Sequence, residues 1–516
     1  MDKVKIEEFK TIISTLYGKI YAYNDKLFSL CETQLKEGEI YRSIDIFDFY
    51  ITSHAQAYLK NLYFGLIVNQ GTLMNIRCMM EGLALKRLYQ KGKISSLQEK
   101  LLQKQLFLIE HLYYKNPVIA DIVDKILSPE KLEYDWNETK KYYKELLRND
   151  YSDKEINEII KSPIPFLCDP KLNFRKIIAE ELGEEYASIY GYFSSLIHPS
   201  ANTFYDNEII AGFCIDFIQI IEKEYELLPK SEYNLSLDCI LTQSDISEKF
   251  NQICIKQKEI IETIANVFEE KFPNNYVSNT LRTIAPYWFE FAIEKNLGLI
   301  EQIKCKWKCL LEEFAVFYYL YCCSVMDNEK FKLLDEHIAV QTRRNFNEKY
   351  SLDYAYSVYC QIFSSPCSKE KFDKSFLKIL GYTIDEKGEV KSLTEMVKLF
   401  AHHFDNEQNE QVTLGKRMIL DYLESQMLSH ANGYMWFANR GAFMDVNSII
   451  FASDVSLIFI LESIKRIFEL HRKIEQTQEY KSIINILRNS IKRLNDVLNE
   501  KTQILAIPGV PKWNVN

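Results

Sequence analysis

Two stretches of this sequence, more than two hundred residues apart, spell the same pattern. Arg77-Cys78-Met79-Met80-Glu81 has its counterpart in Lys308-Cys309-Leu310-Leu311-Glu312, and each is followed by an apolar, Tyr-rich run. Further on, Tyr190, Ser194 and His198, four residues apart, are matched by Tyr422, Gln426 and His430. The offset is 231 residues at the glutamates and 232 at the histidines, an agreement that two unrelated coincidences would rarely give. Ile209-Ile210 and Glu222 match Ile449-Ile450 and Glu462 at an offset of 240, so the second stretch has gained eight residues near Gly433 and Gly441. The chain reads as two diverged copies of one unit, residues 1–235 and 236–516, with the boundary in the polar stretch from Pro229 to Ser244.

The unit is helical. Only 16 glycines and 12 prolines punctuate 516 residues, and long runs carry no breaker at all. Ser95 with Gln98, Ser152 with Glu155 and Ser392 with Glu395 have the spacing of helix-opening capping boxes, and Ser128-Pro129 puts proline at a first helical position. About ten to fourteen helices follow from such signals. The one strand candidate is Tyr382 to Val390, where Asp385-Glu386-Lys387-Gly388 can turn a small hairpin. Tyr480, Ile484, Leu487, Ile491, Leu494 and Leu498 form a narrow apolar seam on the last long helix, which predicts packing on the helix from Ser453 to Lys473, with a dimer seam as the alternative. The expected architecture is all-α, two tandem helical-bundle domains with at most one hairpin.

A net charge of -9 argues against a protein whose whole surface wraps nucleic acid, because phosphate binding needs a positive footprint. Twelve cysteines without paired spacing, and a first segment MDKVKIEEFK lacking a signal peptide's apolar core, point to the cytoplasm. Phe314 to Met326 and Ile449 to Ile464 are apolar but interrupted or short of the ~20 residues that a bilayer span requires, so they read as buried helices and no membrane is expected.

Candidate chemistry centres on the repeated pattern. Tyr190, Ser194 and His198 fall on one helix face, and Pro199 ends that helix beside His198. Arg77 and Glu81, one turn apart among apolar neighbours, read as a partly buried pair that could organise a polar site with His198. Lys308, Glu312, Tyr422, Gln426 and His430 are the second-copy equivalents. His402, His403, Asp405 and Glu407 are the densest cluster of possible ligands, but adjacent histidines diverge by about 100 degrees on a helix, so no metal is assigned and no cofactor is implied. Lys304, Lys306 and Lys308 around Trp307, and Lys481, Arg488, Lys492 and Arg493 on the last helix, read as solvated faces. Phosphate-binding glycine loops, nucleophile elbows and kinase signatures are missing from the sequence.

The R-x-x-x-E helix at Arg77 and Glu81, followed by Tyr190-Gly-Tyr-Phe-Ser-Ser-Leu-Ile-His198-Pro199, resembles a bacterial helical domain family of unknown function. More loosely the chain is similar to the HEPN superfamily of helical bundles, many of them toxins or phage-defence ribonucleases. Ribonuclease members carry an arginine and a histidine four to six residues apart on one helix; here Arg343 and Arg344 instead follow His337. The missing catalytic signatures, the duplication and the C-terminal seam point to a helical partner-binding or regulatory protein, with a protein partner or self-association, and the resemblance implies a defence or stress system as its setting. The alternative is a nuclease-like toxin acting through His198 with Arg77 and Glu81.

Overall fold

The computed structural model describes residues 3–37, 43–64, 70–94, 151–156, 173–197, 207–225, 245–271, 276–296, 299–318, 368–370, 393–405, 413–429, 446–470 and 478–505, with a few positions between 141 and 148 and the strand residues below. Among the described residues the protein is all-α. The helices in chain order are α1 (Lys3–Glu37), α2 (Ser43–Tyr63), α3 (Gln70–Gln90), α4 (Phe174–Glu181), α5 (Glu184–Ile197), α6 (Asn207–Glu224), α7 (Asp245–Lys271), α8 (Tyr276–Ile284), α9 (Pro286–Asn296), α10 (Ile300–Phe317), α11 (Leu393–Ala401), α12 (Leu414–Leu428), α13 (Val446–Leu470) and α14 (Gln478–Leu505). A hairpin of Thr383–Ile384 against Val390–Lys391 pairs antiparallel, where the turn-forming run had been expected.

Local chemistry sets several element ends. Ser152 and Glu155 close the expected capping box, with the Ser152 amide donating to Glu155 Oε2 at 2.8 Å. Asn173 Oδ1 accepts from the Lys176 amide and opens α4. Gly92 (φ 66) and Gly183 (φ 114) take the left-handed conformation just past α3 and α4, which a side chain rarely adopts. Ser95, Gln98, Ser128, Ser392 and the boundary stretch from Pro229 to Ser244 lie outside the described residues.

The packing places α2 and α3 at the centre. From Asp45 to Leu62 every residue of α2 is buried, polar ones included. α1 packs on α2, α2 on α3, and α4 and α5 on α3; among the later helices, α8 and α9 pack on α7, and α11, α12 and α13 on α10. α2 runs unbroken for 21 residues, while α8 and α9 are separated at Ala285, where Pro286, which has no amide to donate, opens α9. α3 and α2 also touch α10, which joins the N-terminal and C-terminal helices in one core. Phe64 meets Phe289 edge-on across this junction with ring centroids 6.2 Å apart.

Buried polar knots hold the bundle. In one, Asp48 of α2 accepts from Lys86 of α3 at 2.8 Å and from Tyr23 of α1 at 2.9 Å, while Lys86 also pairs with Glu224 of α6 at 2.7 Å. In the other, Asp454 of α13 accepts from Trp288 of α9 at 2.6 Å, Gln257 of α7 at 2.7 Å and Lys501 of α14 at 3.1 Å. Of the expected C-terminal seam, α14 buries Leu487, Ile491, Leu494 and Leu498 against both α13 and α7, while Ile484 is half-buried with Ile483 buried next to it, and the Tyr480 side chain lies outside the described residues. The stretch Val446–Arg466 is, among the described residues, the one segment long and apolar enough to cross a membrane, and 72% of its window is buried inside the fold.

Candidate functional site

The repeated motif assembles as two side-chain triads. Arg77 and Glu81, one turn apart on α3, approach to 3.4 Å, and the Tyr190 hydroxyl on α5 donates to Glu81 Oε1 at 2.7 Å. The Arg77 guanidinium lies 5.5 Å from the centre of the Tyr190 ring. On α10 and α12 the same arrangement recurs: Lys308 and Glu312 approach to 3.8 Å, and Tyr422 donates to Glu312 Oε1 at 2.9 Å. Two tyrosines separated from their glutamates by 109 and 110 residues thus make the same contact.

Both triads are interior. Arg77 is 5% exposed, Glu81 0%, Tyr190 8%, and Lys308, Glu312 and Tyr422 are buried to the same degree. Burial, reinforced by the adjacent Glu81, pushes the Tyr190 hydroxyl well above its ordinary range, and burial with Glu312 does the same to Tyr422. Burial works against the Arg77 cation, but Tyr190 and Glu81 beside it outweigh that and keep it protonated. Each triad is therefore a charge pair stabilised by a neutral phenol.

The other expected members differ between the two triads. Ser194 turns back on its own helix and donates to the Tyr190 carbonyl at 2.8 Å, whereas Gln426 stays beside Tyr422 and also reaches Thr394 of α11 at 3.5 Å. His198 and His430 lie outside the described residues, as do Glu407, His337, Arg343 and Arg344. His402 pairs with Asp405 at 2.7 Å, while the His403 ring stacks near Tyr318 and Phe459 at 4.8 and 5.1 Å, so the adjacent histidines point to different surroundings.

One reading is overturned. Lys304, Lys306 and Lys308 do not form a solvated face: they are 1%, 1% and 4% exposed, and Trp307 between them is fully buried. Lys306 bridges Glu290 and Glu294 of α9, carboxylates ten or more residues upstream that an inspection of the local charge pattern does not connect to it. By contrast, Lys481, Arg488, Lys492 and Arg493 are exposed, as read, and Arg488 pairs with Glu469 at 3.1 Å.

Sulfur lines the junction between the triads. Cys78 on α3 and Cys309 on α10 are buried, burial pushes both thiols up to about 12, and Cys78 lies 3.7 Å from the Ser429 carbonyl at the end of α12. Cys214, Cys254 and Cys305 are likewise buried. No family model matches this chain, and no curated protein and no solved structure shows significant similarity to it.

Proposed function

We propose that this chain is a helical partner-binding or regulatory protein built from two diverged copies of one unit, with a bacterial defence or stress system as the setting suggested by its family resemblance. The observation that carries the reading is the state of the reactive groups: Arg77, Glu81 and Tyr190 are spent on one another in the interior, as are Lys308, Glu312 and Tyr422. A general base or an electrostatic stabiliser has to reach a substrate atom, and a carboxylate at 0% exposure held by a phenol and a guanidinium is occupied with the fold. The duplicated reading is supported by the matched triads and by the parallel packing of α3 with α5 and α10 with α12.

The test is induced expression of the wild type, Arg77→Ala and His198→Ala, with thermal melts of each protein and cross-linked affinity capture from the expressing cells. The expected outcome is unaltered growth in all three strains and a specific captured protein, or a second copy of the chain. Growth arrest by the wild type that is relieved by His198→Ala in a folded protein would replace this reading with the nuclease-like toxin.

A further inference from the structure

The junction between the N-terminal and C-terminal helices contains a charge cluster that the triads do not use. Lys306 of α10 is 1% exposed and its ammonium bridges Glu290 and Glu294 of α9. The α3 backbone closes over it: a Cβ on Gly71 would overlap Glu290 Oε2 and the Lys306 side chain. Across the junction, Lys60 of α2 is 0% exposed, and its Nζ has no hydrogen-bond partner among the described residues, with the Phe64 ring 6.0 Å away. The charge that acts on Lys60 is Glu294.

Two carboxylates thus share one bridging ammonium while a second ammonium sits in the interior without a hydrogen bond. A buried, unmatched charge is costly, and the cheapest relief is a change of protonation. Moving a proton onto a carboxylate removes the crowding of like charges; taking one from Lys60 removes the orphan cation. We propose that Lys60, Glu290, Glu294 and Lys306 form a protonation-controlled latch between the N-terminal and C-terminal helices, loosest near neutrality and tighter when the cluster gains a proton in acid or gives one up in alkali.

The directions agree with the groups present. Burial drives Lys60 down to about 7, Glu294 opposing, and drives Glu294 up to about 7, with Lys306 opposing and Glu290 adding to it. For Glu294, between its unfolded value and 7, the folded chain holds more protons than the unfolded one, so stability rises as pH falls through that window. For Lys60, from 7 up to its unfolded value, the folded chain holds fewer, so stability rises with pH. Neighbouring groups are shifted in their own directions. His54 of α2, bonded to Asn75 of α3 at 3.0 Å, is driven down to about 4 by burial; between there and its unfolded value it makes stability rise with pH, opposing Glu294, and it does so equally in wild type and double variant, so the margin between them is unaffected. Lys306 and Arg77 are held protonated, and the Lys10 ammonium of α1 lies 5.2 Å from the centre of the Tyr63 ring.

This proposal stands apart from the partner-binding reading, and its experiment needs no partner. Unfolding midpoints of the full chain are measured from pH 5 to 9.5 for the wild type and for Lys60→Met/Glu294→Gln, which removes both titrations at nearly constant volume. The expected result is a double variant more stable than the wild type by the widest margin near pH 7, narrowing on both sides. A margin independent of pH, or a wild type more stable near pH 7, overturns the latch. Hydrogen exchange of the wild type alone gives a second reading that no folding failure can obscure. After correction for intrinsic rates, amides of α2 around Lys60 and of α10 around Lys306 should open most readily near pH 7, and a monotonic dependence there overturns the proposal.

Discussion

Tyr190→Phe removes a single oxygen atom and leaves the interior Glu81 carboxylate without a donor 2.7 Å away. A buried acceptor deprived of a hydrogen bond costs about 1–3 kcal/mol, and the same loss is expected for Tyr422→Phe at Glu312. Ser194→Ala should differ: its hydroxyl only returns to the Tyr190 carbonyl within one helix, so the change is expected to stay within ~0.5 kcal/mol. Chemical denaturation of the three variants checks this ranking. The tyrosine–glutamate meeting was legible only in part. The spacing of four put Arg77 with Glu81 and aligned Tyr190 with Ser194, but which carboxylate Tyr190 finds depends on how α5 lies against α3, and no local pattern encodes that. The lysine run around Trp307 was misread for a related reason: its counter-ions Glu290 and Glu294 sit on the preceding helix, so the compensating charge is invisible until α9 and α10 pack.

At the level of helices, glycine marks the closest approaches. Gly71→Ala would force the α3 backbone away from Glu290 and Lys306, and Gly415→Ala would collide with the Ala401 carbonyl at the α11–α12 contact. Gly212 on α6 is exposed and meets nothing. Alanine there should stabilise by about 0.5–1 kcal/mol through helix propensity, whereas alanine at Gly71 or Gly415 should lower the melting temperature clearly. Parallel thermal melts distinguish the two behaviours. The sequence announced helix starts where a side chain caps its own turn, as at Ser152 and Glu155. It announced Leu487, Ile491, Leu494 and Leu498 of the α14 seam as well, because a narrow apolar stripe has few ways to be buried. It did not announce the full burial of α2: Asp48, His54, Lys60 and Asn61 look like a solvent-facing helix until α1, α3 and α10 surround it.

For the molecule as a whole, α14 is the closing element. Lys501 sets its ammonium on Asp454 and Gln257, which in turn engage α13, α9 and α7. Lys501→Ala takes away the ammonium that partners Asp454 in the interior, a loss of about 3–5 kcal/mol, while removal of residues 478–516 uncovers the apolar faces of α7 and α13. The truncated chain is expected to aggregate in light scattering instead of giving a smaller monodisperse species; a well-behaved truncation would mean that α14 is an appendage.

The buried cysteines give this core a practical property. With Cys78, Cys214, Cys254, Cys305 and Cys309 enclosed, and four of those thiols pushed to about 11 or 12, alkylating reagents at neutral pH find almost no thiolate to attack at these five positions. Each becomes reactive only when its neighbourhood opens, so the chain carries its own set of timers. Peptide-resolved alkylation would report, without any engineered label, whether the α3–α10 junction parts before the α7–α14 closure or the whole core gives way at once.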